Sequence, residues 1–271
     1  MSSPSAITVR RPSFSFPDGL DPLIIEGCPE ESYLMVGLSL LLPYLEPYLV
    51  RSMKAARKQL TDPLLLADLD AFNAQEGQHY RQHMRFNEAV RIDCPAAIEA
   101  LTKEVDADYR RFTATRSLRW NLAYAEGFEA YTSALARFSF ESGWLDRVLP
   151  PARALFEWHL LEELEHRTVA FDVYQHVSGS YFVRLAVGLF AQWHLNRFVN
   201  RVVHAMVNAD PRAFRARYGG PAQAWARLRP LLGQLARGFF PHVLGTYLPW
   251  YTPHRITTPE GVSARADRYG G

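Results

Sequence analysis

Glu-x-x-His occurs twice in the chain, at Glu76–His79 and at Glu163–His166, each time inside a long run that reads as a helix. Residues three apart on a helix share a face, about one turn apart. Each motif therefore turns a carboxylate and an imidazole the same way, where together they can grip a cation. Two such helices make half of the ligand set of di-iron and di-manganese bundles, in which each of two further helices adds one Glu.

The rest of the chain supplies those helices. Pro29-Glu30-Glu31-Ser32 opens a first helix, with acids in its first turn, that runs to about Leu60. Pro43 and Pro47 fall inside it and predict a kink or break. Thr61-Asp62-Pro63 opens a second helix reaching about Val90. Residues 96–112 read as a polar connecting helix, and Thr115 to Phe140 as a third bundle helix stopped by Gly143. Pro150-Pro151 opens the fourth, expected to last until Ser178-Gly179-Ser180; helices at 181–208 and about 221–246 follow, the last interrupted by Pro230 and Pro241. No strand-like alternation and no solenoid repeat occurs. The expected divisions are an extended arm (1–28), a four-helix core (29–180) and a helical extension with an irregular tail (181–271). Helices one and two, and helices three and four, form pairs.

The missing carboxylates are available. Glu46 is the only acid between Glu31 and Asp62, in a very apolar stretch where an unpaired carboxylate is costly. The third helix offers Glu126 and Glu129. On the fourth, His159, Glu163 and His166 fall within roughly a 60° arc at about 100° per residue; Glu162 lies just beside that arc and Glu165 points elsewhere. His83 shares the stripe of Glu76 and His79. Spacing thus points to Glu46, Glu76, His79, Glu163 and His166 as metal ligands, with Glu126 or Glu129 completing the set from the third helix. His159, His83 and Glu162 lie on or beside the same stripes as further ligands or supporting groups, and no catalytic residue is expected beyond the ligands. Asp68, Asp70 and Asp172 suit salt bridges or solvent. His176, His194, His204, His242 and His254 lack ligand spacing and read as structural or surface residues. Trp158, Phe171, Tyr174, Tyr131 and Phe128 are expected in the core, some walling a substrate pocket.

Other classes are set aside by composition. With 48% hydrophobic residues the chain can bury a core. A net charge of +2, with no concentrated basic face, argues against a nucleic-acid partner. Cys28 and Cys94 form no Cys-x-x-Cys pair. Residues 1–17 hold arginines but no apolar core, so no secretory signal is expected and the cytoplasm is the expected location. The apolar run Tyr181–Val207 is interrupted by Arg184, His194, Asn196, Arg197 and Arg201, which argues against a membrane span. No phosphate-binding Gly-rich loop and no Gly-x-Ser-x-Gly elbow occurs.

These residues resemble the bacterial family of predicted metal-dependent hydrolases, a ferritin-like group. The matching pieces are Val9-Arg10-Arg11; Gly37-Leu38-Ser39 through Pro43 and Glu46; Asp62-Pro63-Leu64; Phe72-Asn73-Ala74-Gln75-Glu76-Gly77-Gln78-His79 with His83 and Asn87; Trp158-His159 through His166 to Asp172; and Leu248 to His254. Glu129-Ala130-Tyr131-Thr132 resembles the family's Glu-His-Phe-Thr, which favours Glu129 over Glu126. Leu45 stands where the family has Gly, Ala130 where it has His, and Pro47 follows Glu46. The His-x-x-x-Glu-x-x-His run from His159 is also similar to that of di-iron aryl-amine N-oxygenases, where the extra histidine binds iron. The resemblance implies an all-α, ferritin-like four-helix bundle with additional C-terminal helices. It implies two metal ions, iron first, manganese second and zinc third. The first functional expectation is a di-iron, O2-dependent oxidoreductase acting on a small organic substrate, with an electron donor if it is an oxygenase. The alternatives are a dimetal hydrolase using a metal-bridging hydroxide, an iron-binding protein without catalysis, and a purely structural bundle. The C-terminal helices are expected to cover the site, to form a homodimer or to touch a membrane surface, the last being least favoured.

Overall fold

The computed structural model describes residues 7–270, the side chain of Ser263 excepted, so residues 1–6 of the expected arm lie outside the described residues. The principal helices are α1 (Pro29–Ala56), α2 (Pro63–Ala89), α3 (Pro95–Thr115), α4 (Leu118–Ser142), α5 (Ala152–His166), α6 (Val169–Val177) and α7 (Tyr181–Val207). Shorter ones follow: α8 (Pro211–Tyr218), α9 (Pro221–Gln234), α10 (Phe240–Thr246) and α11 (Val262–Ala266). The described residues contain no strand, only the isolated bridges Leu20–Val90 and Ile25–Val148, which tie the incoming chain to the helices.

Local chemistry sets the boundaries. Proline begins α1, α2 and α3, where its missing N–H costs nothing. Asp62 accepts from Leu64 N at 2.9 Å and Ser117 from Trp120 N at 3.3 Å, capping α2 and α4. Gly143, at φ +67°, ends α4 in the left-handed conformation that glycine adopts freely.

The structure differs from the expected boundaries in several places. The first helix ends at Ala56 and passes into a 3-10 turn, Arg57–Gln59. The expected fourth helix is two, α5 and α6, parted at Arg167–Thr168 with no proline or glycine at the break. The last expected helix is interrupted, as expected, but at a π-helical turn, Leu235–Phe239, just before Pro241, while Pro230 lies inside α9; and α8 was not foreseen. Pro43 and Pro47 do not break α1. Pro43 has no N–H for the carbonyl of Ser39 one turn earlier. That carbonyl accepts from Asn87 Nδ2 of α2 at 2.8 Å instead, so a neighbouring helix satisfies the group that proline strands.

α1 packs on α2, α4 and α7, and α4 packs on α5, α6 and α7. α1 is long and apolar enough to cross a membrane, yet 67% of its most apolar window is buried within the protein. Its Leu41, Leu45 and Leu49 are fully enclosed, and burying a side chain of that size stabilises a fold by about 1.5–3 kcal/mol. α4 and α7 cross at Gly127 and Gly188, where a Cβ on Gly127 would lie 2.3 Å from Gly188 Cα. One apolar cluster runs from Ile24 to Val262 and includes α7. The polar stripes of α1, α2, α4 and α5 open into its interior.

Candidate metal centre

Four helices deliver the ionisable groups. α1 brings Glu46; α2 brings Glu76, His79 and His83; α4 brings Glu129; and α5 brings His159, Glu162, Glu163 and His166. None is more than 5% exposed. Ligand atoms of Glu76, His79, Glu163 and His166 lie within 4.8 Å of one another, as do those of Glu46, His79 and His159. His79 belongs to both groups, so the two clusters adjoin. His166 sits among carboxylates: its Nδ1 is 3.2 Å from Glu129 Oε2 and its Nε2 is 3.4 Å from Glu76 Oε1 and 3.8 Å from Glu163 Oε1.

The donor set fits cations better than it fits itself. Both oxygens of Glu46, Glu76 and Glu129, Oε2 of Glu163, Nδ1 of His79 and both nitrogens of His166 are buried and have no hydrogen-bond partner. Buried polar atoms are normally paired, and an orphaned one costs about 1–3 kcal/mol or more. Such orphans concentrated on facing carboxylates and imidazoles form the open valences of a metal site. Residues 8–256 also match the family model described as predicted metal-dependent hydrolase. The chain belongs to that family. No curated protein and no solved structure matches it.

In this family member, hydrogen bonds decide which imidazole nitrogen faces inward. His79 Nε2 lies 3.0 Å from Glu162 Oε2, and Glu162 Oε1 accepts from Arg10 Nη1 at 3.3 Å. The Glu162 carboxylate therefore accepts from Nε2, which leaves Nδ1 as the ring atom turned toward Glu76, 3.4 Å away, where a cation would displace its proton. Arg10 is held in turn by Glu165, at 2.8 and 2.9 Å. Glu165 also accepts from Gln75 Nε2 at 3.0 Å.

A second relay governs His159. The carbonyl of Ser39 can only accept, so the Asn87 atom 2.8 Å from it is the amide nitrogen. Asn87 Oδ1 then accepts the Ser39 hydroxyl proton at 2.6 Å. With its proton committed, Ser39 Oγ must accept from His83 Nδ1 at 2.8 Å. Burial first, then His159 and His79, pushes His83 well below the usual imidazole range, so it is neutral and its Nε2 carries a lone pair. That lone pair accepts from His159 Nδ1 at 2.7 Å. His159 Nε2 is left bare, 2.9 Å from Glu163 Oε1: two acceptors face each other, an arrangement that calls for a cation.

The charges are strained when no cation is present. Burial, reinforced by Glu76, raises Glu46 well above the carboxylate range, and burial with Glu163 lifts Glu129 to about 8. Burial opposes charge on His166, but Glu129 and Glu163 outweigh it and raise the group to about 9. Burial likewise opposes charge on His79, where the hydrogen bond to Glu162 and the nearby Glu76 carboxylate prevail and raise the group well above the usual range. Glu163 is lowered: burial acts upward, but His166 and His159 overcome it.

Other expectations resolve residue by residue. Glu126 is turned away and pairs with Arg184 Nη1 of α7 at 3.2 Å, so it is no alternate ligand. His83 is neither a surface group nor in either cluster; it supports His159. Glu162 supports His79. Asp70 pairs with Arg57 at 2.6 Å and Asp172 with His254 at 2.8 Å, as salt-bridging residues do. His194 is buried between Tyr124 and Asp108. Reading the sequence missed Arg10, Gln75 and Ser39 as parts of the site, and set Glu165 aside. Asn87, one turn after His83, carried a helical-spacing signal that went unused.

Proposed function

We propose that this chain is a dimetal enzyme of the hydrolytic kind named by its family description, built on a ferritin-like four-helix core. The observation that carries the reading is that four helices bring Glu46, Glu76, His79, Glu129, His159, Glu163 and His166 together, all but His159 with buried polar atoms that have no hydrogen-bond partner. The cations would supply Lewis acidity and a water nucleophile of lowered pKa for attack on a carbonyl or phosphoryl group. The chain's own residues bind and aim. Glu162 holds the Nε2 proton of His79, and the Ser39–His83 relay holds the Nδ1 proton of His159. Near-complete burial excludes bulk water, which strengthens each charge interaction. The cytoplasm remains the location, and a small molecule the substrate, in this reading.

One observation favours a second reading, O2-dependent oxidation by two irons. The ligands comprise one Glu from each of two helices and a Glu-x-x-His from each of two others, the set of di-iron carboxylate bundles, with His159 added as in the N-oxygenases this chain resembles. Elemental analysis of protein from iron-supplemented and zinc-supplemented cultures, with turnover measured with and without O2, separates the two. Zinc or manganese with turnover indifferent to O2 supports hydrolysis. Iron, with a visible band that changes on reduction and re-exposure to O2, supports oxidation. Protein that purifies without metal and takes up none, and whose Glu163→Ala variant behaves identically, removes both.

A further inference from the structure

An apolar cavity of about 40 Å³ abuts the imidazole of His159 and is otherwise walled by side chains such as Leu41, Phe128, Phe156 and Leu160. A wider cavity of about 540 Å³ lies beyond it, between α7 and the α9–α10 segment. Leu38, Tyr131, Leu135, Trp144 and Leu195 line both, so only these side chains stand between the two cavities and form the neck a ligand would pass. At the outer end the lining reaches Leu34, Phe240 and Leu244, all partly in solvent, Leu244 at 61%. The π-helical turn that divides α9 from α10 carries Leu235 and Phe239 into this outer wall. Such turns frequently mark functional sites.

The few polar groups on these walls are already satisfied. Tyr131 donates to Asn196 Oδ1 at 3.3 Å, and Asn196 Nδ2 donates to the Gln192 carbonyl at 2.7 Å. Gln192 Nε2 donates to the Gly127 carbonyl at 3.2 Å, and its amide oxygen accepts from Tyr247. Trp144 Nε1 donates to Glu31 Oε2 at 2.8 Å, and Thr132 donates to backbone carbonyls of α4. His159 is bonded through Nδ1 to His83 and turns Nε2 to the cluster. Each polar side chain on the way already has a partner, so the walls offer a ligand few open hydrogen bonds. A ligand that asks for none, and is slender enough for the inner cavity, fits.

We propose that the substrate is an amphiphile with a linear alkyl or acyl chain. The chain occupies the outer cavity and the neck at Leu135 and Leu195, and its reacting end reaches His159. This deepens the dimetal reading and rests on it for the chemistry, but the chain-binding cavity is independent of which metals are bound.

The test is equilibrium binding of straight-chain alcohols, hexanol through dodecanol, to the protein as isolated, with metal content measured on the same sample. Affinity should rise about fourfold per methylene, the increment for burying one CH₂, and level off once the cavity is full. Leu195→Trp, which fills the neck, should move that plateau to shorter chains. Leu135→Trp, from the opposite wall, should do the same and serves if the first variant fails to fold. Affinity that does not depend on chain length overturns the proposal, as does an unmoved plateau in a folded neck variant. Tighter binding of a branched or aromatic alcohol of equal carbon number also overturns it. Chain-length-dependent alcohol binding in a protein that purifies without metal and takes up none sinks the dimetal reading alone; two bound metals with a flat chain-length series sink this proposal alone.

Discussion

Replacing Ser39 by Ala breaks the relay behind His159 at its hinge. The hydroxyl is the only acceptor shown for His83 Nδ1, at 2.8 Å, and His83 is fully buried. Stranding that N–H costs about 1–3 kcal/mol, which in a protein of this size lowers Tm by roughly 2–12 °C. His83 escapes the penalty by moving its proton to Nε2, which faces His159 Nδ1 at 2.7 Å. His159 must then give up its Nδ1 proton and carry it on Nε2, the atom meant for a cation. Losing the partner that orients a metal-bound histidine weakens metal binding about 10–100-fold. Long-range ¹H–¹⁵N correlation spectra of the metal-free protein report each tautomer, and a metal titration reports the affinity. Wild-type protein should show His83 and His159 both protonated at Nδ1, and Ser39→Ala should show both at Nε2. Neutral His159 protonated at Nε2 in the wild type would refute the whole chain of reasoning from Pro43 onward.

Arg10→Met removes a partner of the buried Glu162 and of the partly exposed Glu165, and stranding the buried carboxylate costs up to about 3–5 kcal/mol. Melting temperature and metal affinity should both fall, and Arg10→Lys should restore only part because one ammonium cannot grip Glu165 bidentately; unchanged melting and affinity contradict the assignment. Gly127→Ala drives a methyl to 2.3 Å from Gly188 Cα, against about 3.5–4.0 Å for a relaxed carbon pair, and should cost about 1–3 kcal/mol as α4 and α7 part. Gly188→Ala meets Gly127 Cα at 3.4 Å and should be the milder change, an order that paired thermal melts check. Metal affinity should climb between about pH 6 and 9, because Glu129 at about 8 and His166 at about 9 retain protons that a cation must displace. An affinity indifferent to pH over that range would show that neither group is a ligand.

The helical class and the inward stripe of α2 and α5 were legible because helix geometry turns spacing into position: three or four residues apart means one face. Glu46 was legible for an energetic reason, being a lone acid in apolar surroundings. The supports of the site were not. Arg10 lies in an extended segment with no period, and only the fold carries it to Glu162, 152 residues away in sequence. Glu165 falls off the ligand stripe and was set aside, although a residue off the stripe is where an outer partner can anchor. Pro43 signalled a possible break in α1, but its consequence depends on Asn87 of another helix meeting the freed carbonyl. The parting of α5 from α6 has no breaker residue to announce it.

Glu46 separates a metal site from a structural network most cleanly. In a salt-bridged bundle each buried acid would have its cation or donor, and removing one would destabilise the protein. Glu46 has neither: both oxygens lack hydrogen-bond partners, and burial with Glu76 nearby holds its carboxyl well above the usual range. Without metal the residue is therefore a liability, present as an unsatisfied neutral acid that costs about 1–3 kcal/mol. Glu46→Leu replaces it with an apolar group in a very apolar helix and should raise the melting temperature of chelator-treated protein. The same substitution removes a ligand, so added metal should raise the melting temperature of the variant much less than that of wild type, whose stabilisation grows with bound metal by about 2.7 kcal/mol at a hundredfold excess over Kd. The two effects have opposite sign and come from one side chain. If Glu46→Leu instead destabilises the chelated protein and leaves the metal-induced shift intact, the carboxylate belongs to the scaffold and the centre must be rebuilt without it.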